Sequence, residues 1–188
     1  MGSACRNQEK IMQNATRYTL HATRIMAIDP GYEKMGVAVL EKTEVNFGKE
    51  VLLFSECFKT LSKTPHQERL RELGSEICRI IKKFKPQCLA IEKLFFTTNQ
   101  KTAMLVSEAR GVIIYEAARA GLSVFEFTPL QAKVAVTGYG RSDKRQMKFM
   151  VEKLITVSKS IKEDDEYDAI ALGLTFFATE HFFKKNRS

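Results

Sequence analysis

The sequence predicts an α/β domain, a mixed sheet of five strands with helices on both faces. Three observations predict it. Short apolar runs, Ile25-Met26-Ala27-Ile28 and Cys88-Leu89-Ala90-Ile91, end abruptly at the acids Asp29 and Glu92, as strands covered on both faces do. Between the runs lie segments whose apolar residues recur at helical spacing. The order is three strands, a helix, a strand, a helix, a strand and then helices, so the strands that follow helices pair in parallel inside a mixed sheet.

Each element has its own signal. The first strand begins at Arg24 and stops at Asp29-Pro30-Gly31. Residues 35–40 and 51–58, joined by a polar turn near 46–49, continue it as an antiparallel meander. Thr64-Pro65 then offers an N-cap with proline in the first turn, Gln67 completes a capping box, and Leu70, Leu73, Ile77, Ile80 and Ile81 follow at helical spacing up to Pro86. After the strand ending at Glu92, residues 101–120 form a helix closed by Gly121. Residues 124–127 make the fifth strand, and Thr128-Pro129 with Gln131 opens the next helix. Gly138-Tyr139-Gly140 interrupts it, Ser142 restarts a helix to about 157, and the acidic cluster 163–168 leads into a last apolar helix to Phe183.

Length and composition fit one such domain, spanning 24–183. The 188 residues are 44% hydrophobic and 28% charged, the makeup of a globular protein. Residues 1–23 read as a flexible or expression-derived lead, and 184–188 as a solvated basic tail (Lys184-Lys185-Asn186-Arg187) able to grip phosphates. Thirty Lys plus Arg against 22 Asp plus Glu leave a net charge of +8, which makes a polyanion a natural partner. No apolar run approaches the roughly 20 residues of a membrane span, so no membrane is expected. Cys5, Cys57, Cys78 and Cys88 make no CxxC pair and read as reduced thiols of a cytoplasmic protein. Three scattered histidines exclude a His-rich zinc site.

The acids carry the chemistry. Asp29 and Glu92 end buried strands, and Asp165 and Asp168 share one face at the start of a helix. Singly, each has an ordinary explanation: a turn residue before Pro-Gly, a first solvated position, a favourable charge at a helix N-terminus. Together, acids from two strand ends and one helix terminus converge at the edge where α/β sheets bind ligands. Carboxylates gathered there repel one another unless cations neutralise them, and hard oxygen donors suit Mg²⁺ or Mn²⁺. Two such ions are the usual device for phosphodiester hydrolysis.

Four segments carry a resemblance: Ile28-Asp29-Pro30-Gly31, Ala90-Ile91-Glu92-Lys93-Leu94-Phe95-Phe96, Glu108-Ala109-Arg110-Gly111 and Asp165-x-x-Asp168-Ala169. In order and spacing they resemble the RuvC family of Holliday junction resolvases, over about residues 24–183. The resemblance implies a ribonuclease H-like fold and a homodimer that nicks two opposed strands of a four-way DNA junction in recombination and repair, leaving 5′-phosphate and 3′-hydroxyl ends. It assigns metal binding to Asp29, Glu92, Asp165 and Asp168, with two Mg²⁺ ions per site and Mn²⁺ as a substitute. From the two-ion chemistry, Asp29 is expected to bridge both ions, while Glu92 and the Asp165/Asp168 pair hold one each. The family's active-site lysines fall on Lys133 and Lys144, which would stabilise the charge growing on the phosphate. Branch-migration proteins are further partners it allows.

DNA contacts follow from position and charge. Phe95-Phe96 lies in an extended segment whose neighbours point to opposite sides, so one ring is free to stack on an unpaired base. The basic loop of 141–148 brings Arg141, Lys144 and Lys148 to phosphates. The helix over 102–120 carries small or apolar residues on more than one side, as expected for a helix buried by its own sheet and by a second copy, although a wholly internal helix has the same pattern. Three rival readings use the same residues: a nuclease of this fold acting on hybrids or plain duplex, a junction-binding module without chemistry, and a nucleotide-binding protein.

Overall fold

Four consecutive side chains, Ile25, Met26, Ala27 and Ile28, are fully buried because their strand, β1 (Thr23–Asp29), runs through the middle of a sheet packed on both faces. The computed structural model describes residues 23–43, 49–61, 63–94, 100–157 and 160–185. Its other strands are β2 (Lys34–Lys42), β3 (Glu50–Lys59), β4 (Cys88–Glu92) and β5 (Ser123–Phe127), in the spatial order β3-β2-β1-β4-β5. β1 pairs antiparallel with β2 and β2 with β3, whereas β1–β4 and β4–β5 are parallel. The helices are α1 (His66–Phe84), α2 (Gln100–Arg119), α3 (Pro129–Thr137), α4 (Lys144–Leu154) and α5 (Asp164–Lys185).

The two-residue period of the strands divides the core into two layers. Met26, Ile28, Val37, Val39, Leu89 and Ile91 face α1 and α2, where Leu73, Ile77 and Ile80 meet Ala109, Ile113 and Ala117. Ile25, Ala27, Ala38, Leu40, Ala90 and Phe127 face α3, α4 and α5. By the same alternation Asp29 and Glu92, two residues beyond Ala27 and Ala90, belong to the α5 side. Among the described residues no helix is long and apolar enough to cross a membrane.

Three local expectations are corrected. Thr64 and Gln67 form no capping box, because Pro65 has extended backbone (φ −54°, ψ 148°) and takes the N-cap place itself without a side-chain acceptor. Ser142 does not start α4. Asp143 caps it, accepting from the Gln146 N–H in a complete capping box, while Ser142 is buried under the preceding turn, and α4 ends at Leu154. The last helix continues through Lys184 to Lys185, so it enters the segment read as a solvated tail. The Thr128/Gln131 capping box of α3 is present as expected.

Candidate active site

Strand register builds the site. Ile28 pairs with Ile91, which sets Asp29 and Glu92 side by side at the ends of parallel β1 and β4. Asp29 also pairs with Gly36, and Gly36 with Cys57. One row of the sheet therefore reads Cys57, Gly36, Asp29, Glu92. Over that row lies the first turn of α5. A Cβ on Gly36 would stand 1.8 Å from the Asp165 carbonyl oxygen, so the missing side chain is what lets the turn approach.

Asp29, Glu92, Asp168, Lys133 and Lys144 line one cavity of about 230 Å³, closed by Pro129, Ala132, Met147, Ala171 and Leu172. Asp165 stands at its border. Its carboxylate faces Cys57, whose Sγ lies 4.0 Å from Oδ2, and its charge reaches Asp29. A wider groove of about 720 Å³ between α1 and α2 contains none of these acids.

The acids press on one another. Burial pushes the Asp29 carboxyl up to about 9, helped by a hydrogen bond with Glu92 and by the charges of Glu92, Asp168 and Asp165. Asp168 is pushed up to about 6, again mainly by burial, with Lys144 opposing and Glu92 adding to the rise. A proton held on Asp29 thus does what a bound cation would do, relieving the repulsion among carboxylates. The donors are all oxygens on a concave surface, a set that fits a hard divalent ion.

Surrounding ion pairs hold the parts in place. Lys144 Nζ donates to Asp164 Oδ2 at 3.0 Å, and Asp164 is the main cause of its raised pKa. Glu163, just before α5, accepts from Lys34 at 2.8 Å and from Lys59, which hold its carboxyl down to about 2. Arg110 Nε donates to the Glu92 carbonyl at 3.1 Å, and its guanidinium also pairs with Glu126. Arg110 is thereby the anchor of the β4 end.

Some contributors were not singled out from sequence. Cys57 and Glu163 approach Asp165 closely enough to form a cluster of potential ligands, although Glu163 is already paired with two lysines. Cys57 lies in an ordinary strand and only register brings it here, whereas the acid-rich run beginning at Glu163 was a usable signal. Of the expected DNA contacts, Arg141, Lys144 and Lys148 are exposed around the start of α4, with Lys148 Nζ 4.9 Å from the centre of the Tyr167 ring. Phe95 and Phe96 lie outside the described residues, as do Asn186 and Arg187.

The family model described as "Crossover junction endodeoxyribonuclease RuvC" matches residues 25–176. A relative of that name from Desulfitobacterium hafniense is 44% identical over 153 residues, covering 80% of this chain and 89% of the relative. One from Alkaliphilus oremlandii is 41% identical over 158 residues, covering 84% and 94%. Among solved structures, Thermus thermophilus RuvC in complex with Holliday junction substrate superposes with a TM-score of 0.78 at 27% identity, over 86% of this chain and 96% of that one. The yeast mitochondrial Holliday junction resolvase Ydc2 shares the fold, with a TM-score of 0.62 at 13% identity over 95% and 88% of the two chains.

Proposed function

Because the chain belongs to the RuvC family of crossover junction endodeoxyribonucleases and has its ribonuclease H-like fold, we propose that it resolves four-way DNA junctions by hydrolysing one phosphodiester in each of two opposed strands. The observation that carries this reading is the convergence of Asp29, Glu92 and Asp168 with Lys133 and Lys144 on one cavity, at the sheet edge covered by the Asp165 turn. Asp29, Glu92, Asp165 and Asp168 would hold two Mg²⁺ ions, with Mn²⁺ as a substitute. When bound, the ions supply Lewis acidity at the phosphate and lower the pKa of water.

The chain's own residues do the rest. Asp29, whose proton is held mainly by burial and further by Glu92, Asp168 and Asp165, would give that proton up in order to hold a cation. Lys133 and Lys144 would neutralise charge on the phosphate oxygens as water adds to the phosphorus and the P–O3′ bond breaks, the 3′ oxygen taking up a proton, so that a 5′-phosphate and a 3′-hydroxyl result. Lys144 is kept near the acids by Asp164, and the phosphate competes for it.

Two opposed nicks call for two copies. Support comes from α2, where Met104, Gly111 and Tyr115 share an outward face: Met104 is 66% and Tyr115 63% exposed, and a Cβ on Gly111 would meet nothing within 4 Å. An open glycine in mid-helix weakens the helix by about 1 kcal/mol, a cost that close approach of a second copy offsets. The thiols of Cys57 and Cys78 and a DNA substrate support a cytoplasmic setting.

The test is direct. A labelled immobile four-way junction and a linear duplex of equal length are incubated with the protein in Mg²⁺ or in chelator. Paired symmetric nicks on the junction, absent from the duplex and lost in chelator, are expected. Tight junction binding without cutting in either Mg²⁺ or Mn²⁺ overturns the enzymatic reading. In the same assay Arg110→Lys should cut more slowly than the parent, about 10-fold, and melt with a loss of about 1–2 kcal/mol, because an ammonium cannot span the Glu92 carbonyl and Glu126 as the guanidinium fork does. Equal rates and melting would show that this anchor has no bearing on the β4 end.

A further inference from the structure

The turn between α3 and α4 holds a large aromatic side chain outside the core on a tightly restrained backbone. Tyr139 is 57% exposed. Its N–H donates to Thr137 Oγ1 at 3.1 Å, and its carbonyl accepts from the Ser142 N–H at 3.2 Å and from the Ser142 hydroxyl. Thr137 Oγ1 lies 2.5 Å from Ser142 Oγ and 2.8 Å from the Lys133 carbonyl, so the clamp continues back to a residue that lines the acidic cavity.

The flanking glycines tighten the same turn. Gly138 has φ +73°, and a Cβ on Gly140 would stand 2.6 Å from Leu130 Cδ1. Gly140 thus rests on Leu130 and Val134, which are themselves 59% and 48% exposed. Burying residue 139 contributes little to the fold, yet its backbone is among the most restrained of the loop. Fixing a ring before a ligand arrives lowers the ordering cost of binding.

The charge around the turn selects the ligand. Arg141, Lys144, Arg145 and Lys148 are all exposed within nine residues of the ring, and Lys133 lies six residues before it on α3. An exposed aromatic set among cations beside a phosphodiester site matches a nucleic-acid strand, whose bases stack on such rings while basic side chains follow its backbone. We propose that Tyr139 packs its ring on a nucleoside at the crossover, beside the phosphate addressed by the acidic site, and so helps decide which strand position enters it. This rests on the junction-cutting reading and names a further contact for it.

The experiment uses the full chain carrying Asp29→Asn, so that junctions are bound without being cut. In separate four-way junctions 2-aminopurine replaces each nucleotide flanking the nick, and fluorescence and affinity are measured for Tyr139 and for the added variants Tyr139→Phe and Tyr139→Ala. Quenching at one or two positions with Tyr and Phe, lost with Ala together with about a 10-fold fall in junction affinity, is expected. Quenching and affinity unchanged in Tyr139→Ala overturn the proposal and would leave the ring for another protein chain. Loss in Tyr139→Phe as large as in Tyr139→Ala overturns it too, since the hydroxyl and not the ring would then be the contact. A parent that binds junction no better than linear duplex overturns the junction reading itself, an outcome separate from failure of the ring alone.

Discussion

Asp29→Asn is expected to abolish junction cleavage, by at least about 10³-fold, while raising the melting temperature of the protein in chelator at pH 8. The two effects have one origin. Asp29 lies among Glu92, Asp165 and Asp168, and burial together with these neighbours lifts its carboxyl from 3.8 to about 9. Between those values the folded chain binds more protons than the unfolded one, so stability falls as pH rises through the window. Asparagine has the shape of the acid without its charge and removes that dependence. A gain of about 1–2 kcal/mol at pH 8 corresponds to about 2–8 °C in a chain of this size. At pH 4 the unfolded carboxyl is only about half ionised, so the difference should be small there. Melting curves of the two proteins at pH 4 and pH 8, in chelator, check this; an equal difference at both would mean that folding does not raise the Asp29 carboxyl.

The second large effect is expected from Gly36→Ala, a change of one methyl group on a residue with no chemistry. That methyl would lie 1.8 Å from the Asp165 carbonyl oxygen and 2.5 Å from its carbon, and the atoms that must yield are backbone. Either β2 bends, which breaks its pairing with Asp29, or the first turn of α5 lifts and carries Asp165 and Asp168 away. A loss of about 2–4 kcal/mol is expected by denaturant unfolding. Cleavage should fall by about 100-fold or more even where the variant is fully folded, because a displacement near 1 Å is enough for that. A variant that folds normally and cuts at the parent rate would show that the turn does not need its present place.

The fold and half of the site could be read from local patterns. Asp29 and Glu92 stand out because each ends an apolar run that would otherwise continue into the core, and the helix of Asp165 and Asp168 is marked by acids entering an apolar stripe. What local patterns do not carry is register. Nothing near Gly36 says that it faces Asp29 on one side and Cys57 on the other, or that its bare Cα makes room for a helix more than 120 residues later. Thr64 and Ser142 misled for a related reason: each is a good cap by type, but Pro65 and Asp143 occupy the cap places, and Ser142 is spent on the backbone of Tyr139. Arg110 was visible only as part of a motif, and its tie to the Glu92 carbonyl is a tertiary fact.

The four acids are divided between two parts of the molecule that stay folded for different reasons. Asp29 and Glu92 end strands whose apolar residues are fully buried, so they move only when the sheet does. Asp165 and Asp168 ride on the first turn of α5, a helix buried against the sheet from Glu166 onward, and only its very start is tied at the surface by ion pairs, Lys34 and Lys59 on Glu163 and Lys144 on Asp164. Such pairs weaken as salt screens them, whereas the buried apolar packing of the strands is not screened. An ion bound across the divide would therefore join the sheet edge to the start of α5, and its apparent affinity would include the cost of holding that start in place. Raising ionic strength would then weaken this protein's hold on its metal as well as its grip on DNA, two effects that a simple count of phosphate contacts would merge into one.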